Sequence, residues 1–278
     1  MPENPLSDFL LDGRGMGQGA WNLGDRREKW QEEILALRTG IELGLRLIDT
    51  AEMYGSGRSE RLVGEAVAGY RDQVWLVSKV LPANASRPGV KDACEKSLAR
   101  LKTDRLDLYL LHWRGGYPFA ETIRGMEDLL AEGKILAWGV SNFDVDDLEE
   151  FYAQSGGMNC AANEILYNLS RREVEYALLP WCREHGLPVI AYSPVEQGRL
   201  LNDPTLARVA ARRGATTAQV ALAWVRRQGG VTPIPKAGDP GHVRDNALAL
   251  SLELTPEELA ELEAAYPAPR EKKPLAIL

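Results

Sequence analysis

Short apolar runs with no polar alternation recur along the chain, and most follow a stretch whose apolar residues are spaced three or four apart. The runs are Leu45 to Ile48, Val74 to Ser78, Leu106 to Leu111, Ile135 to Val140, Cys160 to Leu166, Leu187 to Ala191 and Val231 to Ile234. A strand wetted on one face alternates polar with apolar residues, so continuous runs indicate strands covered on both faces, as in a parallel sheet. Between them, Trp30, Ile34, Leu37 and Ile41 mark one helix face. So do Val90, Cys94, Leu98 and Leu101; Ile123, Met126 and Leu130; Val145, Leu148 and Phe151; Val174, Leu178 and Trp181; and Val220 with Trp224. An opening strand around Met16 to Trp21 brings the count to eight strands and about eight helices, which selects the α/β class and a (β/α)8 TIM barrel. The 278 residues, 45% of them hydrophobic, suffice for one large core, and no linker interrupts them, so residues 1–278 are expected to form a single domain. Leu10 to Arg14 reads as the turn of an N-terminal hairpin plugging the barrel bottom. Pro256 to Ala265 reads as an extra acidic C-terminal helix that Thr255 caps.

Charge and cysteine usage remove several function classes. The net charge is -7, with Lys and Arg scattered among acids, which argues against a nucleic-acid partner. Cys94, Cys160 and Cys182 are odd in number and widely spaced, so they suggest neither a disulfide framework nor a metal site. They suit a reducing cytoplasm. Met1 to Leu11 carries Glu3 and Asp8, unlike a signal peptide, and no run is long enough to cross a bilayer. A soluble cytoplasmic protein acting on a small molecule is expected, with no membrane partner. A monomer is the expectation and a weak oligomer the alternative.

Four polar residues close three successive runs: Asp49 and Tyr54, Lys79, and His112. Barrel active sites lie at the C-terminal ends of the strands, where side chains remote in sequence converge. A carboxylate, a phenol, an ammonium and an imidazole complement one another there. A cation beside a phenol favours phenolate and lowers its pKa from about 10, making tyrosine a usable acid near neutrality. Taken singly, Asp49 with Lys79 reads as a structural ion pair, Tyr54 as a loop cap and His112 as a satisfied rim histidine. Their ordered appearance on successive strands favours one assembled site. Gly15, Gly17 and Ala20 satisfy a loose dinucleotide-binding pattern, but no strong strand precedes them and Trp21 to Gly24 delay the helix that should follow.

Gly44, Arg46, Asp49, Ala51, Tyr54, Glu60 and Gly64 match the signature segment of the aldo-keto reductases, and the chain resembles a bacterial aldehyde and 2-oxoaldehyde reductase branch of that family. The likeness extends through Gly17 to Trp21, Val77 to Val80, Asp107 to Trp113, Gly139 to Phe143, Ala191 to Pro194 and Ile234 to Lys236. The resemblance implies a barrel that binds NADPH (NADP+) across its mouth and reduces carbonyls to alcohols. It implies Tyr54 as proton donor, Lys79 as the cation that acidifies it, Asp49 as the partner of Lys79 at the cofactor edge, and neutral His112 as the group orienting the carbonyl oxygen. Ser141 and Asn142 are similar to the pair that binds the nicotinamide carboxamide, and Tyr192 to the aromatic stacked on the ring. Ser193, Pro194 and Val195 open a loop over the pyrophosphate, Lys236 matches the lysine on the 2′-phosphate, and Asn246 the asparagine near the adenine. The chain departs from the common pattern at His242, Ala237 and Asp245, where arginine, serine and glutamate are frequent, so NADH use stays open. Glu164 stands where many relatives carry glutamine and is a further cofactor contact. Trp21 and Trp113, with Tyr54 and His112, border the substrate pocket beside Met53. The short segment after residue 265 leads to an expectation of an open, tolerant mouth. Two alternatives stand beside the reductase: a noncatalytic NADP-binding redox-sensing subunit on the same fold, and a barrel lyase or isomerase using Lys79 as a Schiff base.

Overall fold

The computed structural model describes residues 5–278. Eight strands form one parallel sheet in sequential order: β1 (Gln18–Gly19), β2 (Leu47–Asp49), β3 (Trp75–Val80), β4 (Leu108–Leu111), β5 (Trp138–Ser141), β6 (Asn163–Leu166), β7 (Val189–Tyr192) and β8 (Val231–Pro233). The last strand returns to the first. The Gly17 N–H donates to the Pro233 carbonyl at 2.9 Å, the Gly19 N–H to the Pro235 carbonyl at 3.1 Å, and Gly19 bridges Lys236 in parallel. Glycine is required at this seam, because a Cβ on Gly17 would stand 2.8 Å from the Leu47 carbonyl oxygen and one on Gly19 2.9 Å from that of Ile234. The arrangement is consistent with a (β/α)8 barrel, as expected from the runs.

The helical spacings form helices including Trp30–Glu42, Arg87–Leu101, Phe119–Ala131, Val145–Tyr152 and Thr217–Arg226. They outnumber the expected eight because the connection from β7 to β8 holds two, Pro204–Arg213 and Thr217–Arg226, and both ends of the chain add one. The final helix spans Pro256–Ala265. The Thr255 hydroxyl accepts from the Glu258 N–H, and the Glu258 carboxylate accepts in turn from the Thr255 N–H, which satisfies two N-terminal donors.

The N-terminal hairpin is not found among the described residues. Residues Pro5–Asp12 form a helix instead, because Leu6, Phe9 and Leu10 share one face and Gly13, at φ +61°, ends it in the left-handed conformation. The barrel bottom is nevertheless plugged: Leu6 and Leu10 join Leu47, Val77, Leu108, Leu110, Ala162, Ile190 and Ile234 in a buried apolar cluster, and Phe9 packs on Trp75 with ring centroids 4.6 Å apart. A second, larger core fills the space between the sheet and the surrounding helices.

A partly buried ionic network ties the final helix to the segment after β6. Arg172 donates to Glu175 at 2.5 Å and to Glu263 at 2.7 Å, and also to the Tyr266 carbonyl. Arg227 joins through Glu175 at 3.1 Å and stacks 3.5 Å from the centre of the Trp224 ring. Without Arg172, Glu175 keeps Arg227 at 3.1 Å, but the Tyr266 carbonyl loses its charged donor and the tie between the segment after β6 and the final helix is weakened. Arg172→Ala is therefore expected to lower unfolding free energy by about 2 kcal/mol in urea titration; an unchanged midpoint would contradict this role.

Candidate active site

Residues two apart on a strand face the same side, and that rule builds the site. Leu47, Val77, Leu110, Ala162 and Ile190 belong to the apolar plug. Two residues further along the same segments stand Asp49, Lys79, His112, Glu164 and Tyr192. A polar layer is thus laid on an apolar one. Lys79, Asp49, Glu164 and Ser141 are buried, as is His112.

Lys79 is the hub. Its Nζ donates to Asp49 Oδ1 at 2.5 Å and to the Thr50 carbonyl at 3.1 Å, lies 3.4 Å from the Tyr54 hydroxyl, and stands 3.3 Å from Glu164 Oε1. The rings of Tyr54 and His112 meet edge to face with centroids 5.8 Å apart. The four expected acid-site residues are therefore brought together. Burial works against the Lys79 ammonium, but Asp49 and Glu164 outweigh it and hold its pKa above the ordinary value. Burial, then the field of Lys79, press the His112 imidazole down to about 3, so it is neutral as expected.

The Tyr54 phenol behaves differently from the expectation. Its pKa is raised, not lowered: burial of the hydroxyl among these groups is the largest effect, and the nearby Asp49 and Glu164 charges add to it, against the downward pull of Lys79. Proximity of a cation was the correct observation, but desolvation of phenolate is stronger.

Tyr54 lies outside β2, on a turn whose next three residues, Gly55, Ser56 and Gly57, all have positive φ. A Cβ on Gly57 would meet Arg100 at 2.5 Å. Arg100 is fixed by ion pairing to buried Glu60, whose other oxygen accepts from the Ser78 hydroxyl at 2.7 Å. The turn that carries the phenol is thus braced against β3, next to Lys79.

The candidate cofactor residues lie around the same rim. Asn142, at φ +60°, donates to the His112 carbonyl and to Ser141 Oγ, both at 3.1 Å, and accepts from the Tyr192 hydroxyl at 2.9 Å. Ser193, Pro194 and Val195 lead into a short 3-10 segment with positive φ at Ser193, Glu196, Gln197 and Gly198. Sequence reasoning missed its brace: buried Glu196 accepts from Asn168 at 2.7 Å and from Arg199 at 2.8 Å, and pairs with Arg171 at 3.1 Å. No motif marks these residues, since they meet only through the fold. Lys236, His242 and Asn246 follow β8; Lys236 and His242 are exposed and Asn246 half-buried. Trp21 and Met53 are exposed, while Trp113 packs on His112 with centroids 4.9 Å apart. The mouth is less open than expected. Lys272 reaches Asp146 at 3.1 Å and Leu275 packs against the core.

Two buried atoms at this rim, His112 Nδ1 and Glu164 Oε2, have no hydrogen-bond partner among the described residues. Unpaired buried polar atoms call for an explanation, and here they fit a polar ligand seated on the layer. Cys94, Cys160 and Cys182 are buried, with thiols pushed up to about 12 chiefly by burial, and no cluster of metal-ligating side chains occurs among the described residues.

Residues 15–267 match the model of the aldo/keto reductase family. The chain is 51% identical over 265 residues to methylglyoxal reductase YeaE of Escherichia coli (strain K12), covering 94% of this chain and 93% of that protein. It superposes with a TM-score of 0.94 on an aldo/keto reductase from Klebsiella pneumoniae solved with NADP and acetate, at 49% identity and 95% coverage of both chains. A second structure from that organism, in complex with NADPH, matches equally well. The chain belongs to the aldo/keto reductase family.

An imidazole held at about 3 refuses a proton that the unfolded chain accepts below about 6.5, so its contribution to stability is lost as pH falls through that window. Nitrogen-detected NMR of the His112 ring is expected to show a neutral imidazole from pH 8 down to about 5; titration near 6.5 would contradict the burial argument.

Proposed function

We propose that this protein reduces aldehydes, including 2-oxoaldehydes and other small reactive carbonyls, to alcohols with NADPH. The observation that carries the reading is the Tyr54 hydroxyl at 3.4 Å from a Lys79 ammonium paired with Asp49, beside a neutral His112. The methylglyoxal reductase relative supports 2-oxoaldehydes as the substrate class, and the NADP and NADPH complexes of the Klebsiella pneumoniae relative support the cofactor.

Bound NADPH supplies the hydride that the carbonyl carbon receives. Tyr54 gives its proton to the carbonyl oxygen, and the new C–H and O–H bonds complete the alcohol. A phenol of raised pKa does not ionise beforehand; it transfers its proton as negative charge develops on the substrate oxygen, when Lys79 stabilises the phenolate left behind. His112, neutral beside that cation, orients the carbonyl oxygen. Trp113, with the more exposed Trp21, forms the apolar side of the pocket. Ser141, Asn142 and Glu164 hold the carboxamide end, Tyr192 stacks on the ring, and Ser193 to Val195 cross the pyrophosphate. Lys236 meets the 2′-phosphate, with His242 and Asn246 on the adenosine side; the exposed His242 in place of arginine leaves weaker NADH use open.

The same reading has residues 1–278 as one (β/α)8 domain, working as a cytoplasmic monomer. The noncatalytic redox-sensing alternative is not favoured, because the complete acid set lies within one cluster. A Schiff-base role for Lys79 is opposed by its chemistry, since a nucleophilic amine must lose the proton that Asp49 and Glu164 hold in place.

With methylglyoxal and a panel of aldehydes, NADPH absorbance is expected to fall, and Tyr54→Phe to lose at least about 100-fold in kcat while binding NADPH normally by fluorescence titration. No turnover of any carbonyl by the native protein, or full activity in the variant, would overturn the proposal.

A further inference from the structure

Lys79 is shared by two carboxyl groups, and the charges do not balance. Its Nζ stands 2.5 Å from Asp49 and 3.3 Å from Glu164, with the three side chains 0%, 3% and 2% exposed. If both acids were ionised, the buried set would carry a net negative charge far from water, which is costly. The other groups facing it offer no second cation. Tyr54 comes from the turn after β2 and Tyr192 from β7, both phenols; His112, beyond β4, is neutral; the flanking strands β5 and β7 place Ser141 and Ile190 beside Glu164.

We propose that Glu164 is a neutral carboxylic acid in the working protein, leaving Lys79 balanced one to one by Asp49 alone. Asp49 holds the short bond to Lys79 and so keeps the charge; Glu164 is the more distant partner. Glu164 Oε2 receives no hydrogen bond from any described group, a state more expensive for a buried carboxylate oxygen than for a neutral acid whose O–H is left to meet a ligand's acceptor. Burial first, and then the Asp49 charge, push the Glu164 carboxyl well above its ordinary value.

A functional consequence follows, and it rests on the reductase reading. A neutral glutamic acid offers one donor and one acceptor, as glutamine does, so it can stand at the carboxamide without placing an anion beside the nicotinamide. Ionisation would favour the positively charged oxidised ring over the uncharged reduced one. Glu164 therefore sets the relative affinity for NADP+ and NADPH.

Infrared difference spectroscopy of the native protein against Glu164→Gln, without cofactor, at pH 7, tests the protonation directly. The carbonyl stretch of a protonated acid is expected in the native protein and absent from the variant; its absence from both would overturn the proposal whether or not the protein turns over carbonyls. If the variant does not fold, carbon-detected NMR of labelled glutamate in the native protein reads the same state, one protonated carboxyl being expected and none contradicting it. Fluorescence titration separates the functional part. The Kd ratio of NADP+ to NADPH should fall toward alkaline pH in the native protein, approaching tenfold per pH unit above the Glu164 pKa if the ionised site binds NADP+ alone, and stay flat in Glu164→Gln. A flat ratio in both would leave Glu164 without influence on the cofactor and refute that part.

Discussion

The ammonium of Lys79 inside the barrel mouth, and the carboxylate of Asp49 that holds it there, are the interaction on which the site depends. An isolated buried ammonium would shed its proton, and an isolated buried carboxylate would take one up. Each keeps the other charged. The parallel register of β2 on β3 sets Asp49 beside Val77, two residues before Lys79 on the same face, so the ion pair is a consequence of strand alignment. The apolar plug beneath it, completed by Leu6 and Leu10, gives the pair a dry floor.

Burial and charge pull in opposite directions at every member of the cluster, and the balance differs from one to the next. At Lys79 the two carboxyl groups prevail over desolvation; at Tyr54 desolvation prevails over the cation; at His112 burial and the cation agree. The outcome is a phenol that stays protonated, a permanent cation next to it, and an imidazole with no charge to compete for the substrate oxygen. In the proposed reaction such a site would wait for charge to develop on the substrate instead of holding a preformed phenolate. That is how electrostatic preorganisation lowers a barrier.

Much of this was legible in the residues. Unbroken apolar runs mark the strands, and the step of two from Leu47, Val77, Leu110 and Ala162 leads to Asp49, Lys79, His112 and Glu164. The same counting would have placed Glu164 against Lys79, a pairing obscured by reading Glu164 only as a replacement for glutamine. The hairpin expectation failed because Gly13 was read as a turn between strands, whereas the Leu6, Phe9, Leu10 spacing makes a helix that Gly13 ends. The direction of the Tyr54 shift was not legible at all, since desolvation depends on what the folded chain packs around the hydroxyl. The same holds for Glu196 with Asn168, Arg171 and Arg199, and for Lys272 with Asp146, which are contacts between segments that no local pattern connects.

The most direct test of the account is a crystal structure of this protein with NADP+ and acetate, a carboxylate whose oxygen can stand in for the carbonyl oxygen and with which a relative has been solved in complex with NADP. One acetate oxygen is expected within about 2.6 to 3.2 Å of both the Tyr54 hydroxyl and the His112 ring, with Lys79 still paired to Asp49. An acetate bound at the nicotinamide without touching Tyr54, or a Tyr54 hydroxyl turned away from Lys79, would contradict it.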